Sequence, residues 1–194
     1  ENDLVGASFG RGFFVLDDYS ALREISEEML DQEAQLFTPR DGYWYVPKNA
    51  VRYMGDDYWS APNPEFGVTF TYFIKEGMST LKADRQKAEK EMGDASIPFP
   101  GFDAIEAEMM EKAPEIHLEI YDADGNFVQR VKAKNAAGIH RMTWDLTMAS
   151  QGVIDPDRLR AGGFGGMMAL PGTYSAKLVA YKDGEMTPMG EPVS

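Results

Sequence analysis

Few side chains in this sequence have the types and spacing that catalysis or metal binding needs, and the histidines show this most clearly. His117 and His140 are the only histidines among the 194 residues. A Ser-His-Asp triad needs a histidine beside a nucleophile in a pocket, and zinc peptidases carry the motif H-E-x-x-H. Both histidines lie in short runs that alternate between apolar and polar residues, and the zinc motif is absent. We therefore predict that neither histidine is catalytic or binds a metal.

Carboxylate pairs are the next candidates, because glycoside hydrolases place two of them across the bond that they break. The chain has 32 Asp and Glu residues, so neighbouring acids occur by chance and no pair stands out. Asp17 and Asp18 directly follow an apolar run, a position that favours the first turn of a helix. The sequence therefore predicts no catalytic residues and no cofactor for this chain.

The segment Asp122–Asn126 has acids at a spacing that suggests calcium. An EF-hand loop needs glycine at its sixth position and glutamate at its twelfth. Counted from Asp122, Gly125 is fourth and Ala133 is twelfth, so the loop does not match. Asp-Gly between two alternating runs is instead the strongest short signal for a β-hairpin. We predict a hairpin turn here and no metal site.

Aromatic residues are densest around two of the three tryptophans. The candidate ligand-binding residues of this group are Tyr43, Trp44, Tyr45, Tyr58 and Trp59, with Tyr53 beside them. Exposed rings in a row could stack on the faces of sugars, whereas the alternative is that the rings pack a linker against the rest of the fold. Coplanar exposed rings would favour sugar binding, and buried rings would favour packing.

Composition limits the classes of partner. Lys and Arg number 19 against 32 acids, so the net charge is −13. Such a surface repels phosphate backbones and anionic lipid, which excludes nucleic-acid binding and attachment to a membrane surface. No apolar run approaches the ~20 residues that a membrane-spanning helix needs. The absence of cysteine excludes disulfides and Cys-based metal sites.

The elements that must position these residues are mainly β. From Ile116 to Tyr181, short alternating runs are separated by turn residues, as in an antiparallel β-sandwich. Gly67–Ile74 alternates in the same way and is predicted as the first strand of a sandwich that covers residues 67–194. In the predicted register Ile116, Leu118 and Ile120 face inward, with His117 and Glu119 outward, and Trp144 lies at the core centre. Residues 79–113 are charged and helix-forming, which predicts a helical insertion that shields an edge of the sandwich.

The first third of the chain has a different pattern. Residues 4–8 and 13–17 are apolar runs joined by a glycine-containing turn, which predicts a hairpin. Ser20 is the predicted cap of one helix that ends near Leu30, with an apolar stripe of Leu22, Ile25 and Met29. Residues 35–46 look extended and complete a first unit of residues 1–46. Residues 47–66 are rich in proline and aromatic residues, which predicts a linker.

Two segments resemble known families. Residues 3–25, with the motif GRGFFVLDD, resemble the end of the β-propeller in bacterial BNR-repeat, sortilin-like proteins, and the phrase Ala61–Pro64 is also similar to theirs. The Asp-box of that family is absent, since the closest segment, Thr38–Trp44, has the wrong spacing. The order strand, Asp-Gly turn, strand, Trp144–Leu146, Pro171–Tyr174, strand resembles the immunoglobulin-like module of flagellar hook-capping proteins.

The resemblances imply a function and a setting. They imply a propeller-derived hairpin and short helix before an immunoglobulin-like sandwich. The chain would be the non-catalytic C-terminal module of a longer secreted, periplasmic or cell-surface protein, with the signal peptide and the propeller upstream. Its partner would be its own propeller. The alternatives are a carbohydrate-binding module, or an accessory domain of a glycoside hydrolase whose active site lies in the propeller.

The predicted hairpin implies one further partner. Residues 1–17 carry apolar side chains on both faces of a two-stranded hairpin, and such a hairpin is marginal in water when alone. Its unpaired edges and apolar faces predict that isolated copies of the chain self-associate through these residues.

Overall fold

The computed structural model describes residues 2–46, 65–93, 96–149 and 166–194, and the fold is mainly β. The strands are β1 (Leu4–Ser8), β2 (Gly12–Leu16), β3 (Ala34–Leu36), β4 (Val68–Ile74), β5 (Glu115–Asp122), β6 (Phe127–Ala133), β7 (Gly138–Trp144), β8 (Tyr174–Lys182) and β9 (Glu185–Val193). The helices are α1 (Ser20–Arg23), α2 (Glu27–Asp31), α3 (Leu81–Glu91) and α4 (Phe102–Met110). None of the described helices is long and apolar enough to cross a membrane.

Two antiparallel sheets enclose the main core. One sheet has the strand order β3-β4-β7 and the other β6-β5-β8-β9. Alternate residues of each strand point into the shared space, because successive side chains of a strand face opposite sides. The largest fully buried members of this core are Leu36, Tyr72, Ile74, Ile116, Leu118, Ile120, Trp144 and Leu178. Two antiparallel sheets around one core are compatible with the predicted β-sandwich.

Trp144 lies in the core, as its position in the alternation predicts. Its side chain is 2% exposed, and it pairs with Val68 in the register of β4 and β7. The indole Nε1–H donates a hydrogen bond of 2.8 Å to the carbonyl oxygen of Thr147. The ring therefore buries its apolar surface while its one polar atom has a partner inside the protein.

Two strands, β3 and β9, are additions to the predicted set. β3 has only three residues and pairs with β4. The strand predicted as the first of the sandwich, β4, is therefore the second strand of that sheet along the chain. β9 pairs with β8 and contains Pro188, which a strand at the edge of a sheet can accept. Gly190 of β9 has φ +72, and a Cβ there would lie 2.8 Å from the carbonyl oxygen of Ala34. The two sheets thus approach each other closely along β3 and β9.

The predicted hairpin is present, but the single helix after it is wrong. β1 and β2 pair antiparallel, with Leu4 opposite Leu16. The helical segment is two short helices, since Ser26 has extended backbone angles and its side chain accepts a hydrogen bond from the Met29 amide at 3.2 Å. Ser26 is therefore a helix cap. Ser20 is not, because its own amide and hydroxyl donate to the Asp18 carboxylate.

α1 and α2 cover the outer face of the three-stranded sheet. Ala21 and Met29 are buried against Phe37 and Phe73, with Ile25 beside them. Leu22, predicted on the same stripe, is 47% exposed. The break between α1 and α2 means that residues of the two helices no longer follow one helical repeat, so Leu22 and Met29 do not share a face.

Of the predicted extended segment 35–46, only residues 35 and 36 lie in a strand, and residues 37–46 have no regular structure. Most of the predicted linker, residues 47–64, lies outside the described residues.

The helical insertion lies between β4 and β5, as predicted. Arg85 of α3 joins the two helices, with Nε 2.5 Å from Glu108 of α4 and Nη1 2.6 Å from Glu89. In the described part of the chain, neither helix has a buried residue. Ion pairs rather than apolar burial connect the two helices of the insertion.

Candidate binding surfaces

A cavity of about 300 Å³ opens at one end of the two sheets. It lies where β4 and β8 begin and where β5, β7 and β9 end. The buried part of its wall consists of Phe70, Ile120, Trp144, Leu146, Ala169 and Ala176. This volume is at the lower end of the range for small-molecule sites, and an apolar lining is typical of such sites.

Two aromatic rings form one wall of the cavity. Trp144 and Tyr174 meet edge to face, with ring centroids 5.3 Å apart. The Trp144 Nε1–H donates to Thr147, and the Tyr174 hydroxyl donates a 2.6 Å hydrogen bond to the carbonyl oxygen of Leu170. Both polar groups of the wall are thus engaged, so the rings offer apolar surface to an occupant.

The backbone beside the cavity has unusual geometry. Leu146, which is 8% exposed, has φ +60, a left-handed conformation that costs energy for a residue with a branched side chain. Gly67 has φ +128, and a Cβ there would lie 1.9 Å from the carbonyl oxygen of Trp144. Both residues lie next to the end of β7, so this end of the core is held in a strained, close-packed arrangement.

The aromatic segment predicted as a ligand site is exposed where the structure describes it. Tyr43, Trp44 and Tyr45 are 76%, 59% and 44% exposed. Trp44 also lines the cavity, and Tyr45 contacts Phe66 edge to face at 5.2 Å. The other candidates, Tyr58 and Trp59, lie outside the described residues, as does Tyr53.

The β1–β2 hairpin exposes apolar side chains on both faces. The residues that are at least 40% exposed are Leu4, Val5, Phe9, Phe13, Phe14, Val15 and Leu16. The base of the hairpin is held by ion pairs, since Arg40 lies 3.1 Å from both Asp3 and Asp18. The Tyr19 amide also donates to the Asn2 carbonyl oxygen at 2.7 Å. Polar contacts therefore attach the hairpin, and its apolar surface remains open.

Glu119 faces away from the main core, as predicted, but it is 4% exposed rather than solvated. Its carboxylate accepts hydrogen bonds from the Tyr121 hydroxyl at 2.6 Å and from Arg130 at 2.5 Å, and Lys177 lies 3.5 Å away. Burial raises the pKa of Glu119, but the hydrogen bonds from Tyr121 and Arg130 outweigh it and leave the pKa below its ordinary value. The carboxylate is thus held ionised, which suits an ion-pair network better than a general acid.

Both histidines are engaged by neighbours. His117 Nε2 lies 3.0 Å from a carboxylate oxygen of Glu115. His140 Nε2 lies 2.8 Å from the carbonyl oxygen of Ala136. Within the described ranges, no three His, Asp or Glu side chains are close enough together to hold a metal ion.

The Asp-Gly segment forms the predicted hairpin turn. The Asp122 carboxylate accepts hydrogen bonds from the amides of Asn126 at 2.8 Å and Asp124 at 3.0 Å. The side chain and backbone of Asn126 lower the pKa of Asp122. The carboxylate is therefore used to close the turn between β5 and β6.

No protein-family model, curated protein or solved structure matches this chain. The candidate surfaces therefore rest on their own geometry. The sequence indicated the hairpin and the aromatic segment, but it gave no sign of the cavity. Trp144–Leu146 and Pro171–Tyr174 are visible as motifs in the sequence, yet their proximity around one opening depends on strand pairing between distant parts of the chain.

Proposed function

We propose that the chain is a non-catalytic interaction module that binds another protein surface through the β1–β2 hairpin. The single observation that carries the proposal is the hairpin's exposed apolar surface, with Phe13 81%, Phe14 64% and Val5 62% exposed. The two strands pair with each other, but their outer edges are unpaired and both faces of the hairpin are apolar, so the hairpin is a template for a further strand or sheet.

The natural partner in this proposal is a β-propeller of the BNR-repeat, sortilin-like class, in a secreted or envelope protein. The resemblance of residues 3–25 to the closing segment of such propellers supports this assignment, and so does the paired hairpin within that segment. The two-sheet body would be an immunoglobulin-like sandwich, with Trp144 as its central ring. Its place would be beside the propeller, which it braces or presents to a partner.

The state of the acid–base groups supports a non-catalytic role. The buried carboxylate of Glu119 is neutralised by Arg130 and Lys177. A general acid needs a proton to donate, whereas the lowered pKa of Glu119 keeps its carboxylate ionised.

Self-association of the isolated chain tests the proposal, because a second copy can cover the hairpin when the propeller is absent. Val5, Phe13 and Val15 lie on one face, and replacing all three with threonine removes apolar surface while keeping β propensity. Light scattering should show a species larger than a monomer for the parent chain and a monomer for the triple variant. Deletion of residues 1–17 should have the same effect.

A matched control removes exposed apolar surface elsewhere. Met109 and Met110 on α4 are 80% and 79% exposed, and changing both to glutamine should leave the association unchanged. A monomeric parent chain at high concentration would contradict the proposal. So would a triple threonine variant with the mass of the parent, or a loss of association in the α4 control.

A carbohydrate-binding module is the second candidate, favoured by the exposure of Tyr43, Trp44 and Tyr45. Exposed rings can stack on sugar faces, and such a module could serve as an accessory domain of a glycoside hydrolase. Retention on insoluble polysaccharides would test this role, and Trp44→Ala should abolish it. Phe99→Ala is the control, since Phe99 is 62% exposed outside the aromatic segment. Equal retention of both variants, or none by the parent, would reject the candidate.

A further inference from the structure

We propose that the cavity between the two sheets binds a small neutral aromatic compound with a single polar substituent. This site is separate from the hairpin, and of the exposed rings that would stack on sugars it includes Trp44 but not Tyr43 or Tyr45. Its volume of about 300 Å³ is suited to a small ligand rather than to a chain of sugars.

The chemistry of the wall selects an apolar ring. The indole N–H of Trp144 and the hydroxyl of Tyr174 already donate to carbonyl oxygens of the protein. A sugar that entered would leave its hydroxyl groups without these partners, and buried polar groups without hydrogen bonds are costly. An aromatic ring has no such groups and can pack against Trp144, Tyr174 and Phe70.

The cavity is preformed by its backbone. Leu146 keeps a left-handed φ of +60 although the conformation costs energy, and its carbonyl oxygen accepts a hydrogen bond of 2.7 Å from the Ala169 amide, which helps to hold it there. Strained residues of this kind cluster at ligand sites. A preformed site also binds at lower cost, since little ordering accompanies binding.

The opening determines what the outer end of the ligand can carry. Arg40 lines the cavity, but Asp3 and Asp18 each lie 3.1 Å from its guanidinium, so its charge is balanced. Asp41 and Ser175 also line the cavity. Because Arg40 is already paired, it offers little attraction to an anionic ligand, whereas Ser175 can hydrogen-bond to a neutral hydroxyl.

The test uses 4-fluorobenzyl alcohol as the probe and follows its ¹⁹F NMR signal on titration with the full chain. We expect saturable binding with a Kd of about 1 mM or tighter, as the small size of the probe allows. Unlabelled benzyl alcohol should displace the probe, and methyl β-glucoside should not. No saturable binding, or displacement by the glucoside at the same concentration, would overturn the proposal.

Two variants locate the site. Ala169→Leu fills the cavity, because Ala169 lies in its wall and is 3% exposed, and it should weaken probe binding by about tenfold or more. Trp44→Ala removes an exposed part of the wall. It should leave the fold intact because Trp44 is 59% exposed, and it should weaken probe binding about threefold. Phe99→Ala should leave it unchanged. If Ala169→Leu fails to fold, Trp44→Ala decides alone, and unchanged binding in Trp44→Ala would overturn the proposal.

Discussion

Glu119 is buried on the sheet face opposite the main core, where a charge needs partners to be tolerated. Arg130 and Lys177 come from the strands on either side of β5, and Tyr121 lies two residues further along the same strand. The alternation of β5 therefore gives one face to aliphatic residues and the other to an ion-pair network.

The first prediction concerns the pH dependence of Glu119. Its pKa is lowered in the folded protein from the ordinary 4.5, so the unfolded chain binds the proton more readily. The stabilisation is therefore complete above about pH 5 and is lost as the pH falls through the folded-state pKa. Glu119→Gln should reduce the free energy of unfolding by about 1–3 kcal/mol at pH 7.

Urea denaturation at several pH values measures this effect. The difference between the parent and Glu119→Gln should shrink as the pH falls below about 4, because the parent then loses the same charge. The comparison is needed because Asp3, Glu108, Glu115 and Asp122 also have lowered pKa values. A difference that stays constant between pH 7 and pH 3 would show that the Glu119 charge does not stabilise the fold.

The second prediction compares two tryptophans. Trp144→Ala should destabilise the protein by ~3–5 kcal/mol, since the ring is 2% exposed and its loss leaves a cavity in the core. Trp44→Ala should change stability by less than about 0.5 kcal/mol, because Trp44 is 59% exposed. Thermal denaturation of both variants provides the check. An unchanged midpoint for Trp144→Ala would mean that the register of β7 is wrong.

At the scale of elements, the end of β7 depends on a close approach of two backbones. Gly67 precedes β4 and lies against the Trp144 carbonyl group, with φ +128. A side chain cannot fit there without moving one strand, and the conformation itself disfavours any residue except glycine.

The third prediction follows from this contact. Gly67→Ala should lower the free energy of unfolding by roughly 2 kcal/mol or more, from strain and the displaced strand together. Gly6→Ala is the control, because nothing lies within 4 Å of a Cβ added there, and it should be close to neutral. Chemical denaturation compares the two, and equal stabilities would contradict the described junction of β4 and β7.

The sequence predicts some elements well because their signals are local. β4, β5 and β8 alternate over seven to nine residues, and Asp122–Asn126 carries its own turn chemistry. β3 is too short to show an alternation, and β9 contains Pro188 and Gly190, which weaken a strand signal. Each of these strands depends on pairing with a neighbouring strand, β4 for β3 and β8 for β9. Such pairing belongs to the tertiary structure and cannot be read from the local sequence.

The candidate sites also differ in whether the local sequence predicts them. The apolar hairpin can be recognised from its composition, since Leu4–Leu16 contains one charged residue, Arg11. The cavity cannot, because its wall combines Phe70, Ile120 and Ala176 from three strands. The buried state of Glu119 was also missed, since a charged residue on an outer face normally indicates solvent exposure.

At the scale of the whole molecule, the hairpin differs from the rest of the chain in its charge. The net charge is −13, whereas the β1–β2 hairpin carries only the charge of Arg11. Copies of the chain therefore repel one another in general, while the hairpin offers a nearly uncharged apolar surface on which they can meet.

The fourth prediction is that salt strengthens the self-association. Moderate salt screens the repulsion between acidic molecules and leaves apolar contacts intact. Sedimentation velocity between low and about 0.3 M NaCl should therefore show a growing share of the larger species. A larger species that dissociates as salt is added would mean that ion pairs, and not the hairpin's apolar faces, hold the copies together.

Hydrogen exchange of the backbone amides of residues 4–16, measured at low and high protein concentration, tests the central claim most directly. Amides that do not bond between β1 and β2 point to the open edges of the hairpin, and a second copy that adds a strand or a sheet would protect them. We predict fast exchange of these amides in dilute solution and slow exchange at high concentration, while the central strand β5 stays protected in both. Exchange at the hairpin that is fast at every concentration would contradict the proposal that the hairpin is the binding surface of this module.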